Sequence, residues 1–185
     1  MRAVDLLRTA ARANRLANRR LHAAMAPLSD ADFQAPRTSF FPSLAGTLNH
    51  ILAVDAFYLA ALHRERDMEA QWRAFVPANT LAELAPRQAD SDQRLIRFVD
   101  ALDDAGCEAE IVLDRGSSKP RERVAHVLTH LAMHQTHHRG QVHAMLSGTA
   151  VKPPQLDEFL MPSDAHLREA DMHALGWAER ELFGA

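Results

Sequence analysis

The sequence predicts an all-α fold, and three observations indicate this class. Apolar residues recur every three to four positions in four long segments, which is the period of an amphipathic α-helix. Most of the prolines fall between these segments, and only residues 108–114 alternate in part like a strand. The chain has 185 residues, of which 47% are hydrophobic. It is therefore long enough for one substantial core, and we expect residues 1–185 to form a single helical domain.

The first two helices are predicted from their apolar patterns. A stripe of leucine and alanine runs from about Val4 to Met25, with arginines covering the other faces of the helix, and Pro27 follows it. After an irregular loop that carries aromatic side chains, Ser43 is the expected N-cap of a helix reaching about His63. That helix is apolar all round, so we expect it at the centre of a bundle.

A third helix is expected to begin at Thr80, where Glu83 completes a capping box, and to end at Gly106. Within it, Pro86 is expected to kink or restart the helix. A short strand element is expected within residues 108–114.

The fourth long helix contains most of the histidines. We expect Pro120 to open it, since a proline at the first turn loses no helical hydrogen bond, and we expect it to reach about Leu146 before Gly148. A last helix is expected from Ser163 or Asp164 to Leu182.

Charge and cysteine content exclude several classes of protein. The formal net charge is −3, so no basic field favours nucleic acid or an anionic membrane. Cys107 is the only cysteine, which excludes an intrachain disulfide framework. No signal-peptide pattern begins the chain, and no stretch reaches roughly 18 uncharged apolar residues. We therefore expect a soluble, cytoplasmic protein.

The histidine pattern indicates a metal site. His134 and His138 stand four residues apart, so on a helix both imidazoles share one face and could bind one cation. Helical positions place this pair toward the apolar face. By contrast, we expect His126, His130 and His137 on the flank, and His143 on the opposite face.

A third ligand is expected from another helix, and His50 within an apolar segment is the best candidate. Asp55, Glu158 and His166 are weaker alternatives. Three protein ligands with open positions are typical of catalytic metals, whereas structural zinc usually has four ligands including thiolates. The alternative interpretation is that these histidines are ordinary hydrogen-bonded core residues.

Three segments together resemble the DinB/YfiT-like family of metal-binding four-helix proteins, unrelated to the polymerase that shares the label. They are the His-His-Arg-Gly-Gln core at 137–141 within the histidine helix, the segment Leu48–Asp55, and the segment Pro153–Leu160. The resemblance implies an up-down-down-up four-helix bundle, frequently a homodimer, to which the predicted last helix adds a C-terminal helix. It also implies a divalent metal held by His50, His134 and His138.

Some relatives are thiol-dependent transferases or isomerases, so the resemblance implies that the metal activates a thiol or water. The leading hypothesis is a metal-dependent S-transferase or hydrolase acting on a small molecule, with zinc or nickel, or else manganese or iron, and with a low-molecular-weight thiol as a candidate cofactor. Arg139 and Gln141 are candidate cofactor-binding residues, at the pocket rim or behind the ligands. The alternative hypothesis is a non-catalytic, stress-associated metal-binding protein.

Overall fold

The computed structural model describes residues 2–158 and 160–183, and within these it contains a helical bundle and one small hairpin. Four helices are long and form the bundle. They are α1 (Ala3–Met25), α3 (Leu44–Leu62), α5 (Leu81–Asp100) and α7 (Val124–Leu146). Short helices lie in the connections and at the C-terminal end: α2 (Asp30–Gln34), α4 (Met68–Arg73), α6 (Asp104–Glu108), α8 (Ala165–Leu175) and α9 (Glu179–Leu182). The all-α prediction is confirmed, while α2 and α4 were not predicted.

Residue pairings give the relative directions of the first and third long helices. Arg12 near the start of α1 pairs with Asp100 at the end of α5, and Asn18 further along α1 donates to Asp92, earlier in α5. The two helices are therefore antiparallel.

Side-chain contacts also give the direction of α3 relative to α7 and to α5. His50 near the start of α3 contacts His134 in α7, whereas Tyr58, later in α3, contacts His130, so these two helices are also antiparallel. Asp55 in α3 accepts a hydrogen bond from Gln88 of α5, and the ring of His63, just after α3, packs on that of Phe98. Helices α3 and α5 are thus parallel. These directions give the expected up-down-down-up order.

Helix α3 is the central helix of the bundle, as its apolar sequence predicts. Of the described residues, it alone has the length and hydropathy of a membrane span, and 67% of that window is buried inside the protein. Burial of this kind is typical of the core helix of a soluble protein.

Side-chain caps fix where α3 and α5 begin. Ser43 Oγ accepts a hydrogen bond from the backbone N–H of Gly46, and Thr80 accepts one from Glu83 in the same way. Each cap satisfies a donor that the first helical turn leaves free. Both predicted helix starts are confirmed.

Helix α5 ends earlier than predicted. It stops at Asp100, and Gly106 belongs instead to the separate helix α6, which Asp103 caps. The guanidinium of Arg8 in α1 donates to the carbonyl oxygens of Val99, Asp100 and Leu102, and so binds the backbone at and just after the end of the helix. Because this partner is distant in sequence, the local pattern did not reveal it.

The start of the histidine helix was also predicted wrongly. Pro120 does not open α7; its carbonyl accepts from Leu113 across a hairpin, and α7 begins only at Val124. The hairpin pairs β1 (Glu110–Val112) with β2 (Arg121–Arg123) in antiparallel register. The predicted strand element is confirmed, and its partner strand occupies the residues assigned to the helix.

The predicted last helix is two helices. Helix α8 ends at Leu175 and is capped by Gly176, whose φ of 67° is left-handed and therefore favours glycine. Helix α9 follows after a short extended connection. The chain otherwise reaches Leu182 in helical form, as expected.

Candidate metal centre

The two antiparallel helices α3 and α7 bring three histidine side chains together. One ring nitrogen each of His50, His134 and His138 lies within 4.8 Å of the others. The Nε2 atoms of His50 and His134 are 3.0 Å apart. No fourth His, Cys, Asp or Glu joins this group among residues 2–158 and 160–183.

Hydrogen bonding fixes the orientation of His138. Its Nδ1 lies 2.8 Å from Oε1 of Gln141, so Nδ1–H donates to the amide oxygen and Nε2 keeps its lone pair. The amide nitrogen of Gln141 in turn lies 3.1 Å from Nε2 of His137. Gln141 thus lies directly behind the histidine cluster.

Burial and mutual proximity keep the three imidazoles neutral. Burial, with the neighbouring histidines, lowers the pKa of His134 from 6.5 to about 4. Burial is likewise the main cause that lowers the pKa of His50 and of His138. Neutral imidazole is the form that binds a metal, so no proton has to be displaced at pH 7.

The arrangement of donor atoms fits a divalent cation. Two imidazole nitrogens that share one zinc ion at about 2.0–2.1 Å in tetrahedral geometry lie roughly 3.3 Å apart. The 3.0 Å separation of the His50 and His134 Nε2 atoms is close to this value.

An aromatic ring from the loop before α3 covers one side of the cluster. The Phe41 ring lies 4.3 Å from the ring of His50 and 5.6 Å from that of His138, measured between centroids. Phe41 was expected only as part of an aromatic loop. Nothing in its local sequence pattern indicated this contact.

A pocket of about 450 Å³ opens over the other side of the cluster, and the three histidines line it. Its walls come from α3, α4, α7 and the hairpin. The other lining residues are Val54, Phe57, Tyr58, Glu69, Trp72, Asp114, Arg115 and His130. His130 was expected on the flank of its helix. The lining residues of α4 and the hairpin loop are distant from the histidines in the sequence, so no local pattern placed them at the site.

Arg139 lies elsewhere. It is buried, and its guanidinium donates to the side-chain oxygens of Asn14, Asn18 and Gln135. It does not line the pocket over the histidines. The binding of a cofactor by Arg139 or Gln141 stays a prediction, and the contacts of Arg139 favour a role in the bundle core.

The alternative ligands do not join the cluster. Asp55 is buried and accepts hydrogen bonds from Gln88 and Gln135, and neither Glu158 nor His166 belongs to the group of three. His143 bonds to the carbonyl of Pro154 on another face of α7.

The protein combines a helical bundle, a cluster of three histidines and a pocket that opens over the cluster. It is therefore a helical-bundle protein with a candidate metal centre. The model of the DinB family matches residues 4–172. The chain therefore belongs to the DinB family, as the histidine-helix motif indicated. A search of curated proteins finds no match to the chain. That residues 1–185 form one domain stays a prediction, because the family match leaves both ends uncovered.

Proposed function

We propose that this protein is a divalent-metal-dependent enzyme that acts on a small molecule, as a thiol-dependent S-transferase or a hydrolase. His50, His134 and His138 would hold the metal, with zinc or nickel as the expected ion. A divalent cation at these ligands lowers the pKa of a bound thiol or water. We also propose a cytoplasmic homodimer that binds neither nucleic acid nor membrane.

The observation that carries the proposal is the open pocket over a cluster with only three protein ligands. Structural zinc sites are closed by four protein ligands, whereas catalytic sites leave a position for substrate or water. Here the described residues supply three donors, and a pocket of about 450 Å³ meets them. This arrangement favours catalysis over metal storage or a purely structural role.

Residues of the chain supply the remaining functions. In a transfer reaction the substrate thiol gives up its proton, its sulfur bonds to the electrophilic atom, and the displaced group leaves with the bonding electrons. His130 lines the pocket and is exposed, so its imidazole can accept that proton. Phe41 shields one side of the cluster from water, and Gln141 orients His138.

The experiment compares metal content and turnover in two double variants. Protein purified without an affinity tag should bind about one equivalent of metal, and the His134→Ala, His138→Ala variant should lose it. The control removes two exposed histidines outside the cluster, His126→Ala and His173→Ala, and should keep the metal.

Turnover is measured on a panel of thiols with a general electrophile, and on esters and amides. Metal-dependent turnover that only the cluster variant loses would support the enzyme proposal. Stoichiometric metal in the cluster variant would contradict the site. Metal retained by the wild type without turnover on any substrate would favour the non-catalytic alternative.

A further inference from the structure

Of the charged residues at the pocket mouth, the carboxylates have ion-pair partners and the arginine does not. Three of them line the pocket: Glu69 on α4, and Asp114 and Arg115 on the hairpin loop. Glu69 forms an ion pair with Arg73, one helical turn further on. Asp114 pairs with Lys119 at 2.7 Å. Both carboxylates therefore have a cation of their own.

Arg115 is the exception. Its side chain is exposed, and within the part of the chain that the structure describes, no carboxylate oxygen lies within 4 Å of its guanidinium and the guanidinium donates no hydrogen bond. A guanidinium offers five N–H donors in a planar fork that matches carboxylate geometry. Arg115 thus places an unpaired anion-binding group at the entrance of the histidine pocket.

The hairpin loop holds the backbone of Arg115 in place. Its N–H donates to the carbonyl of Ser118 and its carbonyl accepts from Ser117, both at 2.9 Å. The N–H of Gly116 donates to Asp114 Oδ1 at 3.0 Å. A Cβ atom at Gly116 would collide with the carboxylate of Glu69, and its φ of 75° is left-handed. The tip of the hairpin is therefore tightly packed against α4 beside the pocket.

Between the mouth and the histidines, the pocket wall is aromatic. The rings of Phe57 and Trp72 are 5.9 Å apart between centroids, and those of Phe57 and Tyr58 are 5.3 Å apart. Apolar walls with few polar groups are typical of small-molecule sites, where the polar groups set orientation. The pocket thus has a neutral imidazole cluster at one end, an apolar middle and a free cation at its mouth.

We propose that the pocket binds a small organic anion whose apolar or aromatic body packs against Phe57, Tyr58 and Trp72, and that Arg115 determines this specificity by binding its carboxylate. This inference rests on the proposed function, since the donor atom at the other end of the ligand would lie at the metal. It narrows the substrate class from thiols in general to thiols that carry a carboxylate.

The test uses cobalt-loaded protein and two matched probes, 4-mercaptobenzoate and 4-mercaptobenzamide, which differ in charge but hardly in shape. Thiolate binding to cobalt gives a charge-transfer absorption band, so each dissociation constant is read without turnover. In the wild type we expect the carboxylate to bind on the order of tenfold more tightly than the amide, as one charge-assisted hydrogen bond gives.

Arg115→Gln should reduce this preference to about one while leaving the binding of the amide unchanged, and Arg115→Lys should restore part of it. Arg66→Gln is the matched control, because Arg66 is exposed on the same side of the bundle but does not line the histidine pocket. The control should keep the wild-type preference. Circular dichroism checks that each variant is folded.

The outcomes separate the inference from the proposed function. Equal binding of both probes to the wild type, or an unchanged preference in Arg115→Gln, would overturn the role of Arg115 and leave the metal centre intact. If Arg115→Gln weakened the binding of both probes by the same factor, that result would also overturn the role of Arg115. Absence of the charge-transfer band with both probes in the wild type would overturn the thiol-dependent form of the proposed function together with the inference, and would leave only the hydrolase form.

Discussion

A metal-binding histidine usually donates its other ring N–H to a partner that fixes the tautomer and orientation of the ring. His138 has such a partner, because its Nδ1–H donates to Gln141 Oε1 at 2.8 Å. Gln141 lies one helical turn after His138 in α7, so the helix itself supplies this contact. The ligand and the residue that orients it are thus part of one short sequence motif.

Replacing Gln141 by leucine should therefore weaken metal binding. We expect the dissociation constant to rise about tenfold, because the ring of His138 loses its orienting acceptor while the three ligands remain. Competition with a chromophoric chelator measures the change. Gln71→Leu, an exposed change away from the cluster, is the control, and equal affinities of the two variants would contradict the role of Gln141.

At this scale the sequence predicted which histidines meet, but not what surrounds them. The spacing of His134 and His138, and the position of His50 in an apolar helix, made these three imidazoles the best candidates, and the family resemblance implied the same set. No comparable sequence pattern indicated the contacts of Arg139. Its partners Asn14 and Asn18 come from α1, and a local pattern does not indicate contacts with a distant helix.

At the scale of elements, the site depends on the relative position of α3 and α7. These helices are antiparallel, and His50, in the second turn of α3, faces His134 and His138 in the middle of α7. Asn49 also fixes the connection after α3, since its amide donates to the carbonyl of Ala78 and accepts from the N–H of the same residue.

The Ser43→Ala change tests the start of α3. It removes the acceptor for the Gly46 N–H, and we expect the free energy of unfolding to fall by about 1 kcal/mol. Urea denaturation measures this loss. Ser117→Ala in the exposed hairpin loop is the control and should change stability much less; an equal loss in both variants would contradict the capping role.

Helix boundaries that depend on local chemistry were predicted well, and those set by tertiary contacts were not. Ser43 and Thr80 cap their helices through neighbouring backbone groups, so the sequence showed both. The end of α5 depends on Arg8, which is 91 residues from Val99 in the chain. The start of α7 depends on the pairing of two strands that each contain only three residues.

For the whole molecule, a buried polar network joins the four long helices behind the histidine cluster. Asp92 of α5 accepts from Asn14 and Asn18 of α1 and from Gln88, and Gln88 also donates to Asp55 of α3. On α7, Gln135 donates to Asp55, and Arg139 donates to Asn14 and Asn18. Such a network specifies one arrangement of the helices because each buried polar group needs its own partner.

The network also makes stability depend on pH. Burial, with Asp92 nearby, raises the pKa of Asp55 from 3.8 to about 8. Between pH 3.8 and pH 8, the Asp55 carboxyl has lost its proton in the unfolded chain but keeps it in the folded protein. The contribution of Asp55 to the free energy of unfolding is therefore full below pH 3.8 and is lost as the pH rises toward 8. Burial raises the pKa of Asp92 to about 6, in the same direction.

Asp55→Asn should reduce this pH dependence. The asparagine side-chain oxygen can still accept hydrogen bonds from Gln88 and Gln135, and asparagine has no proton to lose. As the pH rises from 5 to 8, the free energy of unfolding of the variant should therefore increase relative to that of the wild type. Unfolding at several pH values measures the difference. Asp90→Asn, an exposed change on the same helix as Asp92, should follow the wild type. A constant difference between Asp55→Asn and wild type across this range would contradict the raised pKa.

The central claim is that one divalent cation is held by histidines from α3 and α7. Anomalous diffraction from crystals of the untagged protein, collected at several metal absorption edges, tests this most directly. We expect one strong peak within bonding distance of ring nitrogens of His50, His134 and His138, with part of the coordination sphere open to the pocket. A metal bound elsewhere, or one closed off by a fourth protein ligand, would contradict it.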